Sequence, residues 1–185
     1  MLNDVYADSR DRMKKVIENL EREFKRVRTG RASVALLDGI RVDYYGTPTP
    51  LNQIATLTVP EPRSITIQPW DATVIGDVEK AILKSELGLT PMNDGKMVRI
   101  NIPPLTEERR RDLVKVIRKM AEESKVALRN IRRDSNEMLK DLKRDKAISE
   151  DEQFRGQDEV QKITDEFIKQ AEAVYAGKEK EILEV

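Results

Sequence analysis

Three long stretches of this chain repeat apolar residues every three or four positions, which is the spacing of amphipathic helices. The first covers residues 3–28, and the third begins near Ser149 and runs almost to the end of the chain. Between them, Thr106 to Arg144 predicts a single long helix, roughly 57 Å in length at 1.5 Å per residue. Because each helix has one apolar stripe, we expect the three to pack as a bundle.

The predicted interior of this bundle follows from the helical spacing. The first helix is expected to bury Tyr6, Met13, Ile17, Leu20, Phe24 and Val27. The second is expected to bury Leu113, Ile117, Met120, Ala127, Ile131, Met138 and Leu142. The third is expected to bury Phe154, Val160, Ile163, Phe167, Ala171 and Val174. Gly30 is expected to end the first helix, and Ser149 with Glu152 three residues later predicts a capping box.

Residues 31–104 have a different sequence pattern. Apolar residues occur at every second position, and the segment contains most of the glycines and prolines of the chain. The alternation predicts short strands at 40–44, 54–59, 64–68 and 97–102. The prolines at 47–50 and 60–62 are interpreted as breaks between them. A short helix is expected at 77–87, with Val78, Ile82 and Leu83 facing inward.

Together these patterns predict an α+β fold with two domains. Residues 1–30 and 105–185 would form an elongated antiparallel three-helix bundle, and residues 31–104 a small α/β unit inserted after the first helix. The chain would cross between the domains twice, at Gly30-Arg31 and at Pro103-Pro104-Leu105. These crossings predict a hinge, although a fixed bend is equally consistent with them.

The composition excludes several classes of protein. The chain has 185 residues and contains neither cysteine nor histidine, so it has no disulfides, no thiolate chemistry and no imidazole base or metal ligand. No apolar run approaches the ~20 residues that cross a membrane. Three aspartates among the first eleven residues are the wrong charge for a signal peptide. We therefore expect a cytoplasmic protein.

Enzyme patterns are also missing. No glycine-rich loop has the spacing of a phosphate or dinucleotide site, and no histidine is available to activate a serine. Glu150, Asp151 and Glu152 resemble ligands for a hard cation, but acids are common where a helix begins because they face its positive dipole end. We expect no catalytic residue, no metal and no cofactor.

A basic stripe on the long central helix is the main functional signal. Arg111, Arg118, Lys125, Arg129, Arg132 and Arg133 lie roughly opposite its apolar stripe, and Glu122 is the one acid among them. Segment 105–133 has ten basic and five acidic residues, although the whole chain has 34 of each. Arginines on a straight helix suit the phosphates of A-form RNA. The alternative is pairing with the acidic segment 134–185, and the spacing leaves both open.

Several motifs resemble bacterial ribosome recycling factor. They are RTGRAS at 28–33, LLDGI at 36–40, YYGTPTPL at 44–51, PPLTEERR at 103–110, RNIRRD at 129–134 and KAISED at 146–151. The motifs occur in order and the resemblance extends over essentially the whole chain. It implies an L-shaped molecule made of a three-helix bundle and a β/α/β domain, which binds the ribosome after termination, along large-subunit RNA. It further implies that, with elongation factor G and GTP hydrolysis on that partner, the ribosome is split into subunits.

The resemblance also implies roles for residues. It places RNA contacts at Arg31, Arg110, Arg129, Arg132 and Arg133, to which the basic pattern adds Arg28 and Lys125. The hinge would comprise Gly30, Arg31, Pro103, Pro104 and Leu105. We expect a monomer that binds the ribosome and elongation factor G and no membrane. The rivals are a coiled-coil adaptor, which would expose apolar seam positions and self-associate, and a metal-dependent hydrolase that uses carboxylates.

Overall fold

The computed structural model describes residues 1–184. Its contacts divide the chain into two compact units, one comprising Met1–Arg28 and Glu107–Glu184 and the other Thr29–Thr106. The helices are α1 (Leu2–Arg26), α2 (Ile75–Lys84), α3 (Glu107–Arg144) and α4 (Glu150–Leu183). We call the unit that contains α1, α3 and α4 the helical unit, and Thr29–Thr106 the β unit.

In the helical unit every helix contacts the other two. Ser9 of α1 lies beside Ser135 of α3. Arg118 and Arg132 of α3 contact Tyr175 and Gln161 of α4, in that order. Because residue numbers rise along one helix as they fall along the other, α3 is antiparallel to α4.

The interior of the bundle is mainly aliphatic, as the low aromatic content favours, and it also contains Phe24 and Phe167. Most of the expected positions on α1 and α4 are buried, but α3 is rotated from the predicted orientation. Its buried residues are Leu113, Ile117, Ala121, Leu128, Ile131, Ser135 and Leu139, whereas Met138 is exposed. The sequence pattern located the stripe on α3 but misjudged its centre, because α3 must face both α1 and α4.

Phe154 is the clearest error in the predicted interior, because 56% of it is exposed. The first buried positions of α4 are Gln153, Gly156 and Val160, and Phe154 lies about 100° from Gln153 around the helix. Gly156 lies close to Leu139, which leaves no room for a bulky side chain on that face.

Of the two predictions about helix ends, one is confirmed and the other is wrong. The capping box is confirmed, since Ser149 Oγ accepts from the Glu152 N–H at 3.2 Å and Glu152 Oε2 accepts from the Ser149 N–H at 2.7 Å. Gly30 does not end α1, because the helix stops at Arg26 and Val27 is extended. Gly30 instead has φ +79°, and a Cβ there would stand 3.1 Å from Leu105 Cγ.

The β unit contains two antiparallel sheets. Its strands are β1 (Arg41–Tyr44), β2 (Thr47–Pro50), β3 (Ala55–Glu61), β4 (Ser64–Pro69), β5 (Pro91–Asn93) and β6 (Val98–Asn101). The first two form a hairpin, and the other four form a sheet in the order β3-β4-β6-β5. Helix α2 contacts strands of both sheets, and a single cluster of buried aliphatic side chains joins them.

Three details of the β unit differ from the sequence prediction. Residues 47–50 form strand β2, which is possible because proline is tolerated in an edge strand. Residues 91–93 form β5 on the edge of the sheet, where no apolar alternation marks them. Leu83 is exposed, because it lies about 100° around α2 from Ile82, on the face away from the buried residues Val78 and Ile82.

Candidate nucleic-acid interface

Arg129 and Arg133 form the exposed centre of the basic stripe. They are one turn apart on α3, and both side chains are exposed. Neither makes an ion pair with any carboxylate in residues 1–184. Two uncompensated guanidinium groups at i and i+4 repel each other weakly on an isolated helix, so this pair favours an anion from outside the chain.

Arg118 and Arg132 lie on the flank of α3 that faces α4. Arg118 Nε donates to the Tyr175 hydroxyl oxygen at 3.3 Å, and Arg132 Nη1 donates to Gln161 Oε1 at 3.2 Å. The bond to Tyr175 raises the pKa of Arg118 above its ordinary value. Because both partners are neutral groups, these contacts orient the guanidinium groups without cancelling their charge.

Lys125 lies on the same flank but is held differently. Its Nζ is 3.3 Å from Glu122 Oε1 and 3.4 Å from Glu172 Oε1, and its side chain is only 17% exposed. Two carboxylates thus compensate this charge within the bundle. The structure places Lys125 in an internal ion-pair cluster, which suits an external phosphate less well than the exposed arginines do.

The rest of the predicted RNA-binding set is distributed over both units. Arg110, near the start of α3, is half-buried, and its Nε has no hydrogen-bond partner among the described residues. Arg28 is exposed in the helical unit and Arg31 is exposed in the β unit. Arg111, outside that set, pairs with Glu107 on its own helix.

The acidic segment 134–185 does not neutralise the stripe. Its acids pair mainly with α1 and with their own helices: Asp134 lies 2.7 Å from Arg12, and Glu166 lies 3.1 Å from Arg10. The pairing with Asp134 raises the pKa of Arg12 above its ordinary value. Among the stripe residues only Lys125 forms an ion pair with a carboxylate in residues 134–184. The alternative that the sequence left open therefore accounts for Lys125 but not for the arginines.

Other kinds of site find no support in residues 1–184. No group of three or more acidic, cysteine or histidine side chains is arranged to hold a metal ion. None of the described helices is both long enough and apolar enough to cross a membrane.

Comparison with known proteins decides the family. The model of the ribosome recycling factor family matches residues 20–183. This chain belongs to the ribosome recycling factor family. The match confirms the resemblance that the sequence motifs indicated.

Similar ribosome recycling factors match over their full length. The protein of Syntrophobacter fumaroxidans is 71% identical over 185 residues and that of Desulfatibacillum aliphaticivorans is 62% identical over 184, with 100% of each chain covered. A solution structure of a ribosome recycling factor aligns with a TM-score of 0.73 at 43% identity, covering 100% of this chain and 98% of the other. The α+β fold class is confirmed.

A second structural neighbour is described with its partners. It is a model of the Thermus thermophilus ribosome recycling factor and Escherichia coli elongation factor G bound to the post-termination complex. Its TM-score is 0.62 at 51% identity, with 99% of each chain covered.

Two features of the surface of the helical unit escaped the sequence reasoning. Phe154 was assigned to the interior, and Asn136 carried no signal at all, yet its side-chain oxygen is buried without a hydrogen-bond partner in residues 1–184. An exposed apolar residue one position from a buried stripe cannot be distinguished from a buried one by spacing alone.

Proposed function

We propose that this chain is a ribosome recycling factor that binds the post-termination ribosome through its helical unit. With elongation factor G, it then splits the ribosome into subunits for reuse in translation. The family membership and the partners of the Thermus thermophilus neighbour support this proposal. The observation that carries the RNA-binding step is the exposed pair Arg129 and Arg133, which no carboxylate in residues 1–184 compensates.

The RNA contacts rest on charge and geometry. A helix of 38 residues presents these arginines on a stiff rod, and guanidinium groups bind phosphate oxygens with two parallel hydrogen bonds. Arg132 is the third member, because its amide partner Gln161 leaves its charge uncompensated. Arg28, Arg31 and Arg110 are further contacts, and Lys125 is a weaker one.

The energy of splitting comes from GTP hydrolysis on the elongation factor, and this chain acts without catalysis of its own. It works in the cytoplasm as a monomer and needs no cofactor. Elongation factor G applies its force to the β unit. Gly30-Arg31 and Pro103-Pro104-Leu105 are the hinge that lets it move, and the positive φ of Gly30 is a conformation that other residues rarely adopt.

The test is co-sedimentation with ribosomes over a series of salt concentrations. If about four to six phosphates are neutralised, log affinity should fall with log salt with a slope of roughly −3 to −5. Replacing both Arg129 and Arg133 by Ala should reduce the magnitude of the slope by about 1 to 2 and leave the melting temperature unchanged. Lys125→Ala should change the slope less, because Glu122 and Glu172 already compensate its charge.

The outcomes separate this proposal from a coiled-coil adaptor. An adaptor would bind a protein through apolar contacts, so its affinity would vary little with salt. Affinity that stays constant across the series, or an arginine double variant with the wild-type slope, would refute RNA binding through the stripe.

A further inference from the structure

Phe154 is an exposed aromatic side chain on the surface of the helical unit. The other two phenylalanines, Phe24 and Phe167, are buried, whereas 56% of Phe154 is in solvent. It lies one turn into α4, outside the aliphatic interior. Burying an aromatic ring is strongly favourable, so a ring left exposed here is available to a ligand.

The position of Phe154 along the bundle follows from two contacts between α3 and α4. Arg132 contacts Gln161 and Lys143 contacts Glu150. On α4, Phe154 is four residues after Glu150 and seven before Gln161, so all three share one face of the helix. Phe154 therefore lies on the flank of α4 that faces α3, between these two contacts and next to the basic stripe.

Asn136 occupies the corresponding window on α3. It is four residues after Arg132 and seven before Lys143, and therefore shares their face. Its side-chain oxygen is shielded from solvent and accepts no hydrogen bond from residues 1–184. Because the protein itself encloses this oxygen, a ligand in the groove cannot reach it, and Asn136 takes no part in the site.

The charges around this window favour a nucleotide in one orientation. On the α3 side, Arg129 and Arg133 have no acidic partner within residues 1–184. On the α4 side, Asp158 lies one turn beyond Phe154, is exposed, and has no ion pair among residues 1–184. A phosphate is therefore attracted to the α3 side and repelled from the α4 side, which directs the base across the groove toward Phe154.

We propose that Phe154 is a stacking platform for an unpaired RNA base. This inference rests on the proposed function, because it adds a base-binding position beside the phosphate-binding arginines. A single exposed ring beside cationic side chains matches the way proteins hold unstacked bases, with the ring on the base and the cations on the backbone.

The experiment measures binding of Phe154 variants to ribosomes over the same salt series. Phe154→Ala should weaken binding about fivefold or more at every salt concentration, since loss of stacking removes a large favourable contact. The slope against log salt should not change, because no phosphate contact is lost. Phe154→Trp should keep wild-type affinity, whereas Phe154→Leu, which is apolar but not aromatic, should behave like Phe154→Ala.

The matched control is Val116→Ala. Like Phe154, Val116 is an exposed apolar residue, but it belongs to α3 and lies on the side of that helix away from α4. It should leave both affinity and slope unchanged. Melting temperatures measured for all variants should agree within error, since none of these side chains is part of the interior.

The remaining outcomes distinguish the two proposals. If the wild-type protein binds ribosomes with a steep salt dependence and Phe154→Ala binds equally well, the stacking inference is wrong and the proposed function stands. If Phe154→Leu retains full affinity, the contact is apolar docking on a protein surface and base stacking is refuted. If the wild-type protein shows no salt-dependent binding, the proposed function itself fails, and the inference fails with it.

Discussion

Gly156 of α4 and Leu139 of α3 are so close that a Cβ on Gly156 would stand 3.0 Å from Leu139 Cδ2 and 3.1 Å from Cδ1. The same Cβ would lie 3.4 Å from Leu2 Cδ2 of α1. All three helices therefore converge at one glycine near this end of the bundle. Leu139 is fully buried and cannot move aside without disturbing its own neighbours.

We predict that Gly156→Ala lowers the melting temperature. Overpacking costs about 1–3 kcal/mol and exceeds the gain of about 1 kcal/mol that alanine brings to a helix interior. Gly177 is the matched control, because it also lies in α4 but has nothing within 4 Å of its Cβ position. Gly177→Ala should therefore raise the melting temperature. Thermal denaturation followed by circular dichroism tests both, and a stabilised Gly156→Ala would show that the helices can separate at no cost.

We predict an asymmetry between Ser9 and Ser135, whose hydroxyl oxygens are 2.6 Å apart and fully buried. Ser9 donates to the Val5 carbonyl oxygen at 2.8 Å, so Ser135 must donate to Ser9. Ser9→Ala leaves the Ser135 donor unpaired and should cost about 1–3 kcal/mol of unfolding free energy. Ser135→Ala should cost less, because the Ser9 donor keeps its partner.

Urea denaturation of the two single variants and the double variant measures this coupling. The double variant should lose less stability than the sum of the single losses, since both polar groups are removed together. Equal losses for the two single variants would contradict the inferred direction of the hydrogen bond.

We predict that the capping box makes α4 sensitive to acid. The bonds from the Ser149 backbone N–H and side chain hold the pKa of Glu152 below its ordinary value. A carboxyl group with a lower pKa in the folded state stabilises the fold above its unfolded pKa, and this contribution is lost as the pH falls through the folded value. Glu152→Gln can still cap the helix but cannot titrate. Its melting temperature should change less than that of the wild type between pH 7 and pH 3.

We predict that Lys125→Ala destabilises the helical unit more than Arg133→Ala does. The Lys125→Ala variant loses the contacts to two carboxylates and the packing of a side chain that is mostly buried. Together these losses should lower the free energy of unfolding by about 1 kcal/mol. Arg133 is exposed and has no ion pair in the described part of the chain, so its removal should leave stability unchanged. Chemical denaturation of both variants provides the measurement. A larger loss for Arg133→Ala would show that this arginine has a structural role.

The sequence by itself determined the number and order of the helices, because a stripe of apolar residues every three or four positions must be buried against something. It also located the start of α4, since Ser149 and Glu152 are sufficient for a capping box whatever packs nearby. The basic stripe could be recognised for the same reason, as helical periodicity is a local property. The family could be recognised because distinctive motifs occur along the whole chain.

Only the tertiary structure decided which apolar residues of each stripe are buried and which basic residues have their charge compensated. Lys125 and Arg129 are equivalent in the sequence, yet only the neighbouring helix supplies Lys125 with Glu172. Phe154 fits the apolar pattern, but the close approach of Leu139 to Gly156 turns α4 so that Phe154 lies outside. Partners from a distant part of the chain set charge compensation and helix rotation, and spacing along one helix carries no information about them.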